Sequence, residues 1–94
     1  MDYQALANDQ ALDQDVQDYR TAISNLDLAD VSFANGAFTV LCDVSTPSAR
    51  PILPEGWRRK VFDTFHALSH PGARTTLRLI SNKFIWHGLR KQVM

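Results

Sequence analysis

The 94 residues of this chain are enough for one small domain or a piece of a longer protein, and too few for a multidomain enzyme. Ten basic and ten acidic residues give a formal net charge of zero. No apolar run approaches the roughly 20 residues that span a bilayer, and the acidic start lacks a signal-peptide pattern. We therefore expect an intracellular protein without a membrane partner, and the single cysteine, Cys42, fits that reducing setting.

The two halves of the sequence carry opposite charges. Residues 1–47 hold eight acids and one base, whereas residues 48–94 hold nine bases and two acids. This asymmetry indicates that the second half faces a polyanion. The alternative is that the halves pair with each other, although such surface pairs contribute little individually. We divide the chain accordingly into residues 1–47, an acidic helix with a β-hairpin, and residues 48–94, a basic helical module.

The first half predicts one helical region followed by strands. Apolar residues recur at helical spacing over residues 3–24, and Asp9 or Asp13 offers the start of a shorter helix within that range. Two β-prone runs, 28–34 and 37–43, flank an Asn-Gly pair, which is a strong hairpin signal. Residues 50–53 predict a short extended segment. The fold class expected from these elements and the helices that follow is α+β.

The second half predicts a pair of helices resembling a helix-turn-helix. A helix over 54–69 begins at Pro54, a second covers about 73–83, and a third opens near residue 87. The first helix should turn its apolar stripe inward and its basic residues outward. The expected core comprises Trp57, Phe62, Phe65, Leu68, Leu77, Ile80, Phe84 and Trp86. The bases expected on the outer surface, where they would contact phosphates, are Arg58, Arg59, Lys60, Arg74 and Arg78.

His66 and His70 are the candidate metal ligands. They lie four residues apart, so both imidazoles project from one face of a helix. Two histidines at this spacing also occur on many helices that bind no metal. Ala67 stands where a zinc peptidase of the His-Glu-x-x-His type needs its glutamate, so that class of enzyme is excluded.

The surrounding sequence resembles a known family. The run PILPEGWRRKVFDTFHALSHPGARTT at 51–76 and FIWHG at 84–88 are similar to the zinc-binding segment of integrases from gypsy-type LTR retrotransposons. That family has His-x3-His-Pro-Gly, a helix, Phe-x-Trp-Pro-Gly and then Cys-x2-Cys. The resemblance covers about residues 30–94, including VLCDVST at 40–46. His87 replaces the family's proline, and the printed sequence reaches Met94 without the cysteine pair.

The resemblance implies zinc bound by His66 and His70, at a site that is incomplete in this chain. Cys42 matches a strand cysteine that is not a ligand, and His87 is either a third nitrogen ligand or a solvent-facing turn residue. The implied function is to multimerise integrase and position the ends of the element's DNA. The expected partners are DNA and other integrase subunits, with no small-molecule substrate, in the nucleus or a cytoplasmic particle.

We do not expect an enzyme, because the three-carboxylate core that the family places after this module is not recognisable here. Two other functions remain open from the sequence. One is a metal-free helix-turn-helix that binds DNA. The other is a protein-interaction module in which the acidic helix docks a partner. In either DNA-binding case, four N-terminal acids are expected to fold over the basic surface and occlude it; they are Asp9, Asp13, Asp15 and Asp18.

Overall fold

A computed structural model describes residues 1–21, 27–69 and 72–94, with only the backbone of Ser69. It confirms the α+β fold. The helices are α1 (Tyr3–Leu12), α2 (Gln14–Thr21), α3 (Glu55–Ser69), α4 (Ala73–Ser81) and α5 (Leu89–Val93). The strands are β1 (Leu28–Phe33), β2 (Phe38–Asp43) and β3 (Arg50–Pro51), in the antiparallel order β1-β2-β3. Within the described ranges, none of the helices combines the length and apolar character that crossing a bilayer requires.

The helical region at the N-terminus is broken at Asp13. This residue is extended, with φ −91° and ψ 124°, and its Oδ1 accepts the backbone N–H of Val16 at 3.0 Å. Asp2 accepts the N–H of Ala5 in the same way at the start of α1, also at 3.0 Å. Because an aspartate that caps one helix must leave the preceding one, residues 3–21 form two helices rather than one. Residues 22–24 of the predicted helix lie outside the described residues.

The predicted hairpin is confirmed, with each strand one residue shorter at the turn. Leu28 pairs with Asp43 and Phe33 with Phe38. Three residues of the turn have positive φ: Ala34, Asn35 and Gly36. At Gly36 φ is +89°, a conformation that glycine adopts without steric cost because it has no Cβ. The sheet is joined to the helices by a parallel bridge between Ile52 and Ile85.

The main core lies between the sheet, α1 and the three C-terminal helices. Its buried members are Leu6, Val40, Cys42, Leu53, Val61, Ile80, Phe84, Trp86, Leu89 and Val93. Of the expected core, Ile80, Phe84 and Trp86 are buried, and four more residues pack half-buried against it: Trp57, Phe62, Phe65 and Leu77. Leu68 was expected in the core and is instead 73% exposed. Its neighbours His66 and Ala67 are exposed as well, because this last turn of α3 projects beyond the elements that cover the apolar stripe.

Candidate functional site

His66 lies on that projecting turn, where α3 meets α4. Its ring stacks on Phe62, with centroids 5.3 Å apart and planes at 11°. Its Nδ1 lies 3.4 Å from Oγ1 of Thr76, whose hydroxyl donates to the carbonyl of Gly72 at 3.0 Å. An Nδ1–H that donates to Thr76 puts the lone pair of the ring on Nε2, which is the tautomer a metal-ligating imidazole needs. The surroundings of His66 therefore suit an imidazole that binds a metal ion through Nε2.

The remaining metal ligands are not assembled by the described residues. His70 lies outside them, so the pairing of the two histidines stays a prediction. Across residues 1–21, 27–69 and 72–94, no three His, Cys, Asp or Glu side chains are grouped to hold an ion. Cys42 is buried in β2, and burial, followed by the nearby carboxylates of Asp30 and Asp43, raises the pKa of its thiol to about 11. A thiol of this kind behaves as a small apolar side chain.

Arg58 was expected on the outer side of α3 and is instead 8% exposed. Its Nη1 donates to Asp15 at 3.1 Å and its Nε to the carbonyl of Leu53 at 3.2 Å. The guanidinium also lies 5.8 Å from the ring centroid of Trp86. The prediction that Arg58 faces outward was wrong because the residues that cover it, on α2 and after α4, are far away in the sequence. The contact of Arg58 with DNA stays untested.

Acidic residues of the first half contact the first turn of α3. Asp9 accepts the indole N–H of Trp57 at 2.6 Å, and Asp13 accepts the backbone N–H of Glu55 at 2.9 Å. Asp15 completes the set with its ion pair to Arg58. We call these three carboxylates the acidic clamp. Their positions suit the amino end of a helix, where N–H groups and the helix dipole favour negative charge. The clamp covers the start of α3 rather than the whole basic surface.

The other predicted DNA contacts are solvent-exposed. They comprise Arg59, Lys60, Arg74 and Arg78, as the sequence indicated. Arg59 pairs with Asp63 at 3.1 Å on the same exposed surface. Three further bases are exposed but were not among the DNA contacts predicted from the sequence; they are Lys83, Arg90 and Lys91. The sequence did indicate a basic segment here, because residues 72–94 contain five bases and no acid.

A groove between α2, α4 and α5 was not anticipated from the sequence. Its volume is about 730 Å³, and it is bordered by Tyr19 of α2 and His87 of the turn before α5. The two rings meet edge to face, with centroids 6.4 Å apart and planes at 68°. Burial raises the pKa of Tyr19 above its ordinary value of 10.0. Nothing in the local pattern joins these two residues, since one lies in each half of the chain.

Residues 53–94 match the family model described as the integrase zinc binding domain. This segment is therefore similar to the integrase zinc-binding domain. The matched range covers α3, α4 and α5, and it contains His66 and His70 as well as the projecting turn. The integrase zinc-binding segment is distinct from the catalytic core of an integrase, and it makes up slightly less than half of the chain. No curated protein and no solved structure matches the chain.

Proposed function

We propose that this chain belongs to the integrase of a gypsy-type LTR retrotransposon and supports DNA integration through zinc-stabilised multimerisation and positioning of DNA ends. The observation that carries the proposal is the family match over residues 53–94. The setting of His66 supports it, because Phe62 and Thr76 orient the imidazole at the junction of α3 and α4. On this proposal the protein acts inside the cell, in the nucleus or a cytoplasmic particle.

In this function His66 and His70 supply two of the four ligands of a closed zinc site. Bound zinc supplies a crosslink at the end of α3. Cys42, the only cysteine of the printed sequence, is buried in the sheet and supplies no thiolate to this site. His66 itself contributes a fixed ring, held by stacking on Phe62 and by the hydroxyl of Thr76.

DNA contact is assigned to the exposed bases of α3 and α4, which are Arg59, Lys60, Arg74 and Arg78. Contacts from such bases go to phosphates and confer affinity with little base preference. We propose residues 48–94 as the DNA-facing unit, and residues 1–47 as the unit that supports it. Arg58 belongs with the support, because it is buried against Asp15.

The experiment is duplex DNA binding by the 94-residue chain at several salt concentrations. The double change Arg74→Gln and Arg78→Gln should weaken binding and reduce the salt slope by about 2, since two phosphate contacts are lost. Arg20→Gln is the control, because Arg20 is exposed but pairs with Asp30 beside the sheet. Binding that ignores salt, or that survives the double change, would favour the protein-interaction function instead.

The second candidate is a metal-free helix-turn-helix that binds DNA. It is favoured by the apolar contact that already joins α3 to the end of α4, where the rings of Phe65 and Phe84 meet edge to face at 6.3 Å. Both functions predict salt-dependent DNA binding. They differ in zinc dependence, which a zinc titration of the chain with and without an added Cys-x2-Cys segment measures.

A further inference from the structure

The groove between α2, α4 and α5 has an apolar floor and aromatic walls. Leu77 and Ile85 contribute to the floor together with Trp86, which is 3% exposed. Tyr19 and His87 form the walls, and their rings stand at 68° to each other rather than stacked. A flat ligand can therefore lie against one ring without displacing the other. The volume of about 730 Å³ lies within the usual range of ligand sites, about 300–1,000 Å³.

The charge of the groove is positive. Arg90 and Lys91 line it and are exposed, and its described lining contains no acidic residue. Asp15, on the same helix as Tyr19, is already paired with Arg58. Aromatic rings beside exposed cations are the combination that binds single-stranded nucleic acid, because bases stack on the rings and phosphates contact the cations. An acidic peptide would satisfy the cations but would not require the two rings.

His87 lies in the turn between Trp86 and α5. Gly88, with φ +83°, follows it as the N-cap residue of α5, and the histidine itself is exposed. Its imidazole is not part of the core and borders the groove. The ring is therefore available to a ligand in the groove.

We propose that this groove binds unpaired nucleotides of a DNA strand, with Tyr19 and His87 as stacking rings and Arg90 and Lys91 as phosphate contacts. The proposal rests on the DNA-binding function above and extends it from the duplex to a strand end. Bases in a duplex are stacked on each other, so their faces are covered. Unpaired bases expose both faces to the two rings, whereas a blunt duplex exposes only the outer face of its terminal pair.

The experiment compares three labelled probes on the 94-residue chain: a short thymidine strand, a blunt duplex, and the same duplex carrying a thymidine overhang. Wild type should bind the overhang duplex more tightly than the blunt one. Tyr19→Leu and His87→Pro should each weaken binding of the thymidine strand about tenfold, the scale of base stacking on an aromatic ring. Tyr19→Phe is the matched control, because it keeps the ring and should retain the affinity.

His87→Pro is the decisive variant, because His87 is exposed and loss of its imidazole should leave the core intact. If His87→Pro and Tyr19→Leu both bind thymidine as wild type does, the groove is not the site. If a glutamate-rich peptide displaces thymidine and binds independently of both rings, the groove serves a protein partner and the proposal is wrong. Failure of the duplex-binding function alone would give a different result. The blunt duplex would not bind, or its binding would be unchanged by the double change Arg74→Gln and Arg78→Gln. Binding of the thymidine strand would still depend on the two rings.

Discussion

At the residue scale, buried polar side chains join parts of the chain that are distant in sequence. Oε1 of Gln10 accepts the N–H of Leu41 at 2.8 Å. Its Nε2 donates to the carbonyls of Leu41, at 3.0 Å, and Ile52, at 2.8 Å. A single amide thus contacts three buried backbone groups where β2 and the residues after β3 meet α1. The carbonyl of Leu41 also accepts the N–H of Ile52 at 3.0 Å. The N–H of Leu41 and the carbonyl of Ile52 would each cost about 1–3 kcal/mol if left without a partner, so Gln10 fixes α1 to the sheet.

Asp43 is the second such residue, and it predicts a pH dependence. It is fully buried at the end of β2, where it accepts hydrogen bonds from Arg50 and from the N–H and hydroxyl of Ser45. Burial alone would raise the pKa of this carboxyl, but the hydrogen bonds from Arg50 and Ser45 outweigh burial and hold the pKa below its ordinary value of 3.8. Arg50 also donates to the carbonyl of Ser81 at 2.7 Å, which ties the pair to α4.

Because the folded-state pKa of Asp43 is lowered, its contribution to stability is present above the unfolded value of 3.8. It is lost as pH falls below that value and through the folded pKa. We expect the free energy of unfolding, measured in urea, to fall as pH is lowered over this range. Asp43→Asn should be less stable at neutral pH and should lose less on acidification, whereas the exposed control Asp63→Asn should follow wild type. An unchanged acid slope in Asp43→Asn would contradict this role.

At the scale of elements, α3 is held at its two ends by different means. Its first turn meets the acidic clamp, and its last turn projects with His66 into solvent. The first end is stabilised by carboxylates of this chain. The second end has the setting of a zinc ligand. The stabilisation of each end can therefore be tested by a separate experiment.

Asp13 caps two helices with one carboxylate. Oδ1 accepts the N–H of Val16 in α2, and Oδ2 accepts the N–H of Glu55 in α3. Replacing a capping aspartate by alanine typically costs about 0.5–2 kcal/mol, and here both caps are lost, so Asp13→Ala should cost about 1–3 kcal/mol. Urea unfolding followed by tryptophan fluorescence measures it. Asp18→Ala removes the same charge from an exposed residue whose carboxylate accepts a hydrogen bond from Gln14 at 2.8 Å, and should cost far less. Equal losses in the two variants would mean that charge, not capping, matters.

Zinc binding tests the other end of α3. The 94-residue chain should bind zinc weakly, because two imidazoles forgo most of the roughly 10–16 kcal/mol available to a complete structural site. The same chain followed by a Cys-x2-Cys segment should bind orders of magnitude more tightly and melt at a higher temperature. His66→Ala and His70→Ala should each abolish that gain, while His87→Ala serves as the control histidine. Equal zinc affinity with and without the cysteines would support the metal-free alternative.

At the scale of the whole molecule, the charge asymmetry of the sequence is only partly neutralised. Among the described residues, two ion pairs join the halves, Asp15 with Arg58 and Asp43 with Arg50. The covering of the basic surface by N-terminal acids is present at Arg58, which pairs with Asp15. Arg59, Lys60, Arg74 and Arg78 remain exposed beyond the reach of the acidic clamp. The main core also draws on both halves, since Leu6 and Val40 pack with Ile80 and Phe84, so the helices that carry the exposed bases depend on the acidic half for their support.

The sequence by itself determined the local elements and the family resemblance. Asn35 and Gly36 located the hairpin and Pro54 the start of α3. The run around His66 and His70 indicated the similarity to integrase zinc-binding segments that the match over residues 53–94 supports. These features depend on a few neighbouring residues, through turn geometry, backbone restriction and helical period. Local chemistry is sufficient to specify them.

The tertiary structure decided which side of each element is covered. It buried Arg58 beneath α2 and Trp86, exposed Leu68 beyond the end of the core, and brought Tyr19 to His87. Helical periodicity identifies the residues that share a face, but not the length over which another element covers that face. Coverage depends on contacts between residues far apart in the chain, and these form only when the sheet and helices pack around one core.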